Sequence, residues 1–409
     1  MARPRLAAIA ASSLLLLSAR PAAARDAPGS RPATVVSAER HDLSPPLGEI
    51  PETALAASEE AALNLVLPNR WKAVRDEAPP GAACYAPAVP LDAVPMPAPI
   101  ASFDGVPNRN YRFPPDTNAD VGLRHVMQWV NLSLAVWDKQ GNLLYGPVNG
   151  NTLWSGFGGI CETNNNGDPI VLYDALANRW LASQLAFDWP RNFHQCVAVS
   201  ATEDPTGPWH RYDFAYSETT LNDYPKFAVW PDAYYMAANQ FDGETEGWRG
   251  QGVVALERER MLEGGEARMV YFDLFDVDPS FGGQLPADLD GPIPPPEGAP
   301  AYFAEIDDDA WGWASDRIQI WEFRVDWDDP ERSTFGEAGL PNAVVDLTAA
   351  GFPFDSNLCN YSGACIPQPS GSLLDALSDR LMWRLAYRNF GSHETLLASH
   401  TVDADGSDR

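Results

Sequence analysis

The sequence predicts an all-β protein folded as a β-propeller of four-stranded blades, with about five blades visible. From residue 111 onward, short runs of aromatic and β-branched residues alternate with Gly, Pro, Asn and Asp, which is typical of antiparallel strands and turns. These runs recur in groups of four at intervals of roughly 40 to 50 residues, the length of one blade. A β-sandwich is the alternative, but it gives no reason for that recurrence.

The strand groups define a propeller domain over residues 111–409. Two groups contain four strands each, at 170–174, 179–183, 196–200 and 209–214, then at 226–230, 234–241, 252–257 and 269–274. An earlier group occupies 125–131, 134–137 and 143–145, and later ones are visible at 302–306 and 318–324 and at 381–385. The chain stops soon after a further strand-like run at 394–402, so we expect the domain to be incomplete at its C-terminal end.

Residues 1–24 are typical of a cleavable secretory signal peptide. Arg3 and Arg5 precede an apolar run at 6–19, and the small residues Ala22 and Ala24 fit a signal peptidase. A membrane anchor is the alternative, but the run is shorter than the ~20 residues that cross a bilayer. We expect cleavage near Ala24, a secreted or periplasmic location, and no membrane span in the mature chain.

Residues 25–110 are rich in Ala and Pro and predict a linker ahead of the propeller. Closely spaced prolines between residues 79 and 99 prevent regular structure over that stretch. One short helix is possible at 52–67, where apolar residues recur at near-helical spacing before Pro68.

The formal net charge of −28 restricts the possible partners. A surface this acidic repels phosphate, which argues against nucleic acid and anionic membranes. An extracellular polysaccharide or glycoprotein is the partner that we expect. Solubility in a secreted setting is the simpler explanation of the acidity.

Five cysteines, in a chain expected to be exported, predict disulfides. Cys359 and Cys365 bracket a short loop and form the first predicted pair. Cys161 and Cys196 form a second pair if their segments meet in space. Cys84 is then left without a partner.

Several segments resemble exported bacterial β-propeller proteins, a mostly uncharacterised group loosely similar to the sialidase-like and polysaccharide-lyase propellers. The resemblance covers residues 110–409 and rests on QWVN at 128–131, VWD at 136–138, GDPIVLYD at 167–174 and NDYPKF at 222–227. It implies a fold and a compartment more than an activity. The segment 200–209 is similar to the sialidase Asp-box, with extra residues before Asp204, which implies a braced turn between outer strands. The arginine triad of sialidases is not matched.

Acidic residues stand at or near the start of the predicted blades. The link into each blade lies on one face near the central channel, so we expect these carboxylates to form a ring. Such crowding attracts a cation, and hard oxygen ligands suit Ca²⁺. Ordinary turn chemistry is the alternative, because Asp favours loops. The predicted ring consists of Asp116, Asp120, Asp168, Asp223, Asp288 and Asp290.

Asp223, Tyr224 and Lys226 are the candidate catalytic residues, because they place a carboxylate, a phenol and an amine together. A Tyr near a Lys could abstract a proton in a lyase, and a Tyr near an acid could act as a sialidase-type nucleophile. More often such residues cap a strand.

Asn165 and Asp168 lie in a loop rich in oxygen donors, and they are predicted to contact sugar hydroxyls. Trp154 and Trp230 are predicted to stack on sugar rings if exposed; otherwise they fill the space between blades. The chain has no serine-hydrolase elbow, zincin motif or phosphate-binding loop. The sequence therefore predicts a secreted, calcium-stabilised propeller that binds or degrades extracellular glycans. If it is an enzyme, a glycosidase or polysaccharide lyase is expected; the alternative is a non-catalytic adhesion or protein-interaction scaffold.

Overall fold

The structure is a computed structural model that describes residues 33–51, 98–112, 114–356, 364–367 and 373–402. Within these ranges the chain forms antiparallel sheets arranged as the blades of a β-propeller, which confirms the predicted fold class. The predicted leader at 1–24, the helix at 52–67, Cys84 and the loop of the Cys359–Cys365 pair lie outside the described residues. No helix within the described ranges has the length and hydropathy needed to cross a bilayer.

The first blade is a four-stranded meander, but two short strands precede it in the chain. The two early strands are β1 (Thr34–Ser37) and β2 (Arg40–Leu43). The blade itself consists of β3 (Thr117–Val121), β4 (His125–Val130), β5 (Ser133–Asp138) and β6 (Leu143–Asn149). Its middle strands bury bulky residues on the faces that pack against neighbouring blades. Such residues favour β-strands, so the sequence pattern predicts these strands.

The second and third blades contain five strands each, because the two early strands join them. The second blade has the order β2-β10-β9-β8-β7, with β7 (Ile170–Asp174), β8 (Arg179–Asp188), β9 (Arg191–Ser200) and β10 (Trp209–Ser217). The third has the order β1-β14-β13-β12-β11, with β11 (Thr220–Val229), β12 (Tyr234–Asp242), β13 (Trp248–Leu256) and β14 (Arg268–Asp273).

The placement of β1 and β2 corrects the assignment of residues 25–110 to a linker. Val36 pairs with Met269 at the outer edge of the third blade, and Asp42 pairs with Arg211 at the outer edge of the second. The buried Arg211 guanidinium donates to both carboxylate oxygens of Asp42, at 2.8 and 2.5 Å. Residues 34–43 therefore belong to the propeller, although they are too short and polar to predict a strand alone.

The fourth and fifth blades share one sheet. The fourth contains β15 (Leu285–Asp290), β16 (Ala301–Asp307), β17 (Arg317–Arg324), β18 (Thr334–Phe335) and β19 (Ala343–Asp346). The fifth contains β22 (Leu381–Asn389) and β23 (Glu394–His400), after a hairpin of β20 (Ala364–Pro367) and β21 (Leu373–Asp375). Parallel pairing of β15 with β22 joins the two inner strands.

Helical segments are few and short within the described chain. The α-helices are α1 (Ile160–Thr163) and α2 (Arg258–Glu263). Single 3₁₀ turns occur at Leu47–Glu49, Gly150–Trp154, Asp309–Trp311 and Pro330–Arg332.

The inner strands lie next to one another in chain order around the channel. β3 contacts β7, β7 contacts β11, β11 contacts β15, and β15 pairs with β22. The ring closes where Trp383 of β22 approaches Thr117 and Asn118 of β3 across a shared pocket. This order brings the starts of the inner strands to one place.

Large aromatic side chains fill the spaces between blades. Trp129, Trp180, Trp209 and Trp321 are fully buried and belong to the apolar clusters between neighbouring sheets. Aromatic side chains of this size bury roughly 150–250 Å² each, so they dominate the stability of the packed blades.

Cys161 of α1 and Cys196 of β9, the second predicted pair, are joined by a disulfide. Both cysteines are fully buried among the apolar residues between the first and second blades. The bond therefore ties the segment that links the two blades to the middle of the second sheet.

The Asp-box-like segment forms a braced turn between β9 and β10. Asp204 accepts hydrogen bonds from the backbone N–H and the hydroxyl of Thr206, at 2.9 and 2.7 Å. The buried Trp209 donates its indole N–H to the Pro205 carbonyl. These contacts are structural, in agreement with the role that the resemblance implies.

Candidate active site

A pocket of about 290 Å³ lies where the inner strands of the first, second, third and fifth blades begin. Its polar and aromatic lining comes from segments far apart in the chain. The lining residues are Asp116, Thr117, Asn118, Asp168, Pro169, Ile170, Tyr224, Pro225, Lys226 and Trp383.

Three consecutive blades place a left-handed residue at or near the start of the inner strand. The φ angles are 42° at Asp116, 47° at Asp168 and 53° at Tyr224. Residues other than Gly adopt this conformation only where the surroundings impose it, and Asp does so more readily than most. Asp116 and Asp168 precede their inner strands, whereas Tyr224 lies inside β11 at a break in its register with β12.

Asp168 and Asp223 are in side-chain hydrogen-bond contact. The backbone N–H of Tyr224 also donates to Asp168, at 3.0 Å. Two carboxyl groups this close do not both ionise, because their charges repel. Burial raises the pKa of Asp223 to about 8, and the charge of Asp168 adds to the rise. Asp223 therefore favours its protonated form near neutral pH.

Asp116 approaches this pair from the first blade. Burial and the charge of Asp168 raise the pKa of Asp116 to about 7. The side-chain amide of Asn131 donates to Asp116 at 3.0 Å and to the Pro114 carbonyl at the same distance. This bond fixes the orientation of the carboxyl group and stabilises its ionised form.

Lys226 supplies a positive charge among the three carboxyl groups. Its ammonium lies 3.6 Å from the centre of the Tyr224 ring and donates to the Pro225 carbonyl at 3.3 Å. Burial lowers the pKa of Lys226, while Asp168, Asp116 and Asp223 act in the opposite direction. Lys226 thus balances part of the negative charge at the site.

Tyr224 contacts a second cation, Arg380, whose guanidinium lies 5.0 Å from the ring centre. Arg380 forms a two-point ion pair with Asp379, at 2.8 and 3.0 Å. Burial raises the pKa of Tyr224 above its ordinary value. A phenol with a raised pKa is a poor base and a poor nucleophile at neutral pH.

The six acids of the predicted calcium ring separate into two groups. Asp116 and Asp168 line the pocket together with Lys226, and Asp223 lies next to Asp168. Asp288 and Asp290 instead bind Arg384, at 3.0 and 2.8 Å, and Asp120 lies within electrostatic reach of this arginine.

Each group already contains a cation of the protein, which reduces the need for a metal. The compact groups of metal-ligand atoms among the described residues consist of other side chains, for example Asp308, Asp309 and Asp316. Calcium therefore stays a prediction from the sequence.

Trp154 and Trp230, predicted to stack on sugars, are buried. Trp154 packs against Trp129, and Trp230 packs edge-on against Tyr387 with ring centres 4.8 Å apart. The Trp230 indole donates to the Ala299 carbonyl. The prediction is wrong for both residues because the space between blades demands large apolar side chains.

The loop at 164–168 contributes Asp168 to the pocket but uses its asparagines for cross-links. The Asn165 amide donates to the Leu132 carbonyl of the neighbouring blade, at 3.2 Å. Asn164 donates to the Phe187 carbonyl, and Asn166 accepts from the Phe187 N–H. The amides thus hold the loop against the blades, and Asn165 is absent from the pocket lining.

Trp383, Arg380 and Arg384 complete the site from the fifth blade and were not among the predicted site residues. The signal that could have identified them is the pair of arginines at the start of the last predicted inner strand, where other blades carry aspartates. Lone arginines have no motif, so their role appears only when the ring closes.

No family model matches the chain, and no curated protein matches it. Among solved structures, the chain is similar to the crystal structure of an exo-1,5-α-L-arabinanase from a bovine ruminal metagenomic library. The two share 9% identity, the match covers 71% of this chain and 88% of the other, and the TM-score is 0.30.

Proposed function

We propose that the protein binds an extracellular glycan in the central pocket and hydrolyses a glycosidic bond by carboxyl acid–base catalysis. The observation that carries the proposal is that Asp116 and Asp168, from two consecutive blades, line one pocket, with Asp223 of the third blade next to Asp168. Glycoside hydrolysis in most families requires a protonated and an ionised carboxyl group on either side of the scissile bond.

The environments of the three acids suggest separate roles. Asp223 is the general acid, because it holds a proton at neutral pH. Asp168 is a positioning residue that accepts the Asp223 hydrogen bond and keeps the acid oriented. Asp116, held by Asn131, is the base that activates water once it is ionised.

The pocket is small, near the lower end of the roughly 300–1,000 Å³ typical of ligand sites. At about 290 Å³ it suits a single sugar unit better than a long chain segment. The raised pKa of Tyr224 argues against the predicted roles of this residue as lyase base or sialidase-type nucleophile. Hydrolysis by carboxyl groups is therefore favoured over elimination.

The buried disulfide supports the proposed extracellular or periplasmic location. Disulfides form and persist in oxidising compartments and are rare in the cytosol. Glycans are abundant substrates in those compartments, which is consistent with the proposed activity.

The test is incubation of the protein with a panel of polysaccharides and oligosaccharides, followed by assays for new reducing ends and for unsaturated products. We expect new reducing ends without unsaturation, and loss of at least 100-fold in rate for Asp223→Asn. Unsaturated products would show a lyase, and the absence of any product across the panel would refute hydrolysis.

A non-catalytic glycan-binding module is the second candidate. The observation in its favour is that Asp223, the proposed general acid, is not among the described residues that line the pocket, whereas catalytic carboxyl groups of glycosidases flank the scissile bond. This candidate predicts retention on an immobilised glycan with no product formed.

A further inference from the structure

We infer that the pocket accepts an uncharged sugar unit and excludes sugars that carry a carboxylate, such as uronic and sialic acids. The inference rests on the proposed function, because it names the substrate class of the same site. It distinguishes neutral from acidic polysaccharides as substrates of the site.

The charges that face the pocket are predominantly negative. Asp116 and Asp168 line it directly, the protonated Asp223 beside them adds no charge of its own, and Lys226 is the one basic residue among the described lining residues. Asp120, Asp288 and Asp290 add further negative charge close by, with Arg384 as their partner. A ligand carboxylate brought into this pocket meets like charges at short range, where little water remains to screen them.

The basic groups around the pocket already have partners. The Lys226 ammonium contacts the Tyr224 ring and the Pro225 carbonyl among the three acids. Arg380 is held by both oxygens of Asp379, and Arg384 bridges Asp288 and Asp290. A ligand carboxylate could bind only if one of these cations left its acidic partner. The negative charge of that partner would then stay buried without a compensating cation.

The same groups suit a neutral sugar. Carboxylates accept hydrogen bonds from hydroxyl groups, and charge-assisted bonds of this kind are stronger than neutral ones. Trp383 also lines the pocket and offers apolar surface for a sugar ring. The pocket therefore combines hydroxyl acceptors with an aromatic side chain and lacks an uncommitted cation among its described lining residues.

Pairs of oligosaccharides of equal length test the inference. The first pair is a galacto-oligosaccharide and a galacturono-oligosaccharide, and the second is a gluco-oligosaccharide and a glucurono-oligosaccharide. Binding is measured by calorimetry on the whole protein and hydrolysis by product analysis. We expect the neutral member of at least one pair to bind roughly tenfold or more tighter than its acidic counterpart. Added salt should narrow the difference, because screening weakens the repulsion.

Asp116→Asn removes one charge from the pocket while retaining the side-chain shape. It should therefore narrow the difference in binding affinity between the neutral and the acidic oligosaccharide of a pair. Glu259→Gln removes one charge from an exposed position on α2 and should leave this difference in binding affinity unchanged. Melting curves of both variants verify that each is folded.

Equal or tighter binding of the acidic members, or no binding of any neutral member, would overturn the inference. Binding of neutral members without product would refute the proposed hydrolysis and still support the inference. Hydrolysis of the acidic members alone would support hydrolysis and overturn the inference, so the two failures are distinguishable.

Discussion

The carboxylate of Asp120 accepts the backbone N–H of Tyr173 at 2.7 Å, across the seam between the first and second blades. Related bonds recur around the channel, from the Val171 N–H to Asn118 at 2.6 Å and from the Val229 N–H to Asp288 at 2.9 Å. The inner strands of the first four blades do not pair with one another through the backbone, so side-chain oxygens accept from these N–H groups instead.

Replacement of Asp120 by alanine should destabilise the propeller by about 1–3 kcal/mol, because the Tyr173 N–H loses its acceptor. Asp120→Asn keeps an acceptor oxygen and serves as the matched control. Chemical denaturation measures both variants against the wild type. Equal stability of the alanine and asparagine variants would show that this seam bond contributes nothing.

The His194 ring donates its Nδ1–H to the Asp213 carboxylate at 2.6 Å, and this contact makes stability depend on pH. Burial alone would lower the pKa of His194, but the hydrogen bond and charge of Asp213 outweigh it, and the net pKa is raised. A His with a raised folded-state pKa stabilises the protein below its ordinary pKa of about 6.5, and this contribution disappears as pH rises through the folded-state value.

The stability difference between wild type and His194→Gln should therefore be larger at about pH 5.5 than at about pH 8.5. Denaturation at both values measures it. His393→Gln, on an exposed histidine for which no such carboxylate contact is found among the described residues, is the control. A stability difference between wild type and His194→Gln that grows toward alkaline pH would contradict the raised pKa assigned to His194.

Glycan hydrolysis should follow a narrow bell-shaped pH profile. Asp116 must be ionised to act as base, so kcat/KM should fall as pH drops below about 7. Asp223 must be protonated to act as acid, so kcat/KM should fall as pH rises above about 8. Asp116→Asn should abolish the acidic limb together with most of the activity. A flat profile through both values would contradict the assigned roles.

Replacement of both Cys161 and Cys196 by alanine should lower the free energy of unfolding by roughly 3 kcal/mol or more. The disulfide closes a loop of 35 residues and fills space in the core. Denaturation with and without a reducing agent measures this. The double variant should no longer respond to the reducing agent, whereas the wild type should lose stability.

Chelation tests the calcium prediction directly. Because Lys226 and Arg384 already balance the two acidic groups, we expect EDTA to leave the melting temperature unchanged. A bound ion would instead stabilise the folded protein in proportion to the logarithm of its concentration. A melting temperature that falls with EDTA and recovers with added Ca²⁺ would support the predicted calcium site.

The sequence alone was sufficient to predict most strands but not the two at the N-terminus. The buried runs of β8, β12 and β13 are apolar over most of their length, so periodicity and β-propensity identify them. β1 and β2 are four residues each, and their burial depends on partners far along the chain. Local patterns carry no information about such partners.

For the candidate site, the sequence identified the acids but not their arrangement. Asp168, Asp223 and Lys226 are predicted and do meet, because repeated turns place equivalent positions on one face. One group of acids lies around Lys226 and the other around Arg384. This division depends on how the fifth blade closes the ring of blades, which the sequence does not reveal. Burial of Trp154 and Trp230 likewise depends on inter-blade packing, which composition does not reveal.

The pairing of Val36 with Met269 has a consequence for the order of folding. Residues 34–37 are made early, yet their partner strand follows more than two hundred residues later in the sequence. Contacts this distant carry a large loop-closure cost and form late. The edge strand β1 of the third blade therefore has no partner until synthesis has passed Asp273, the last residue of β14.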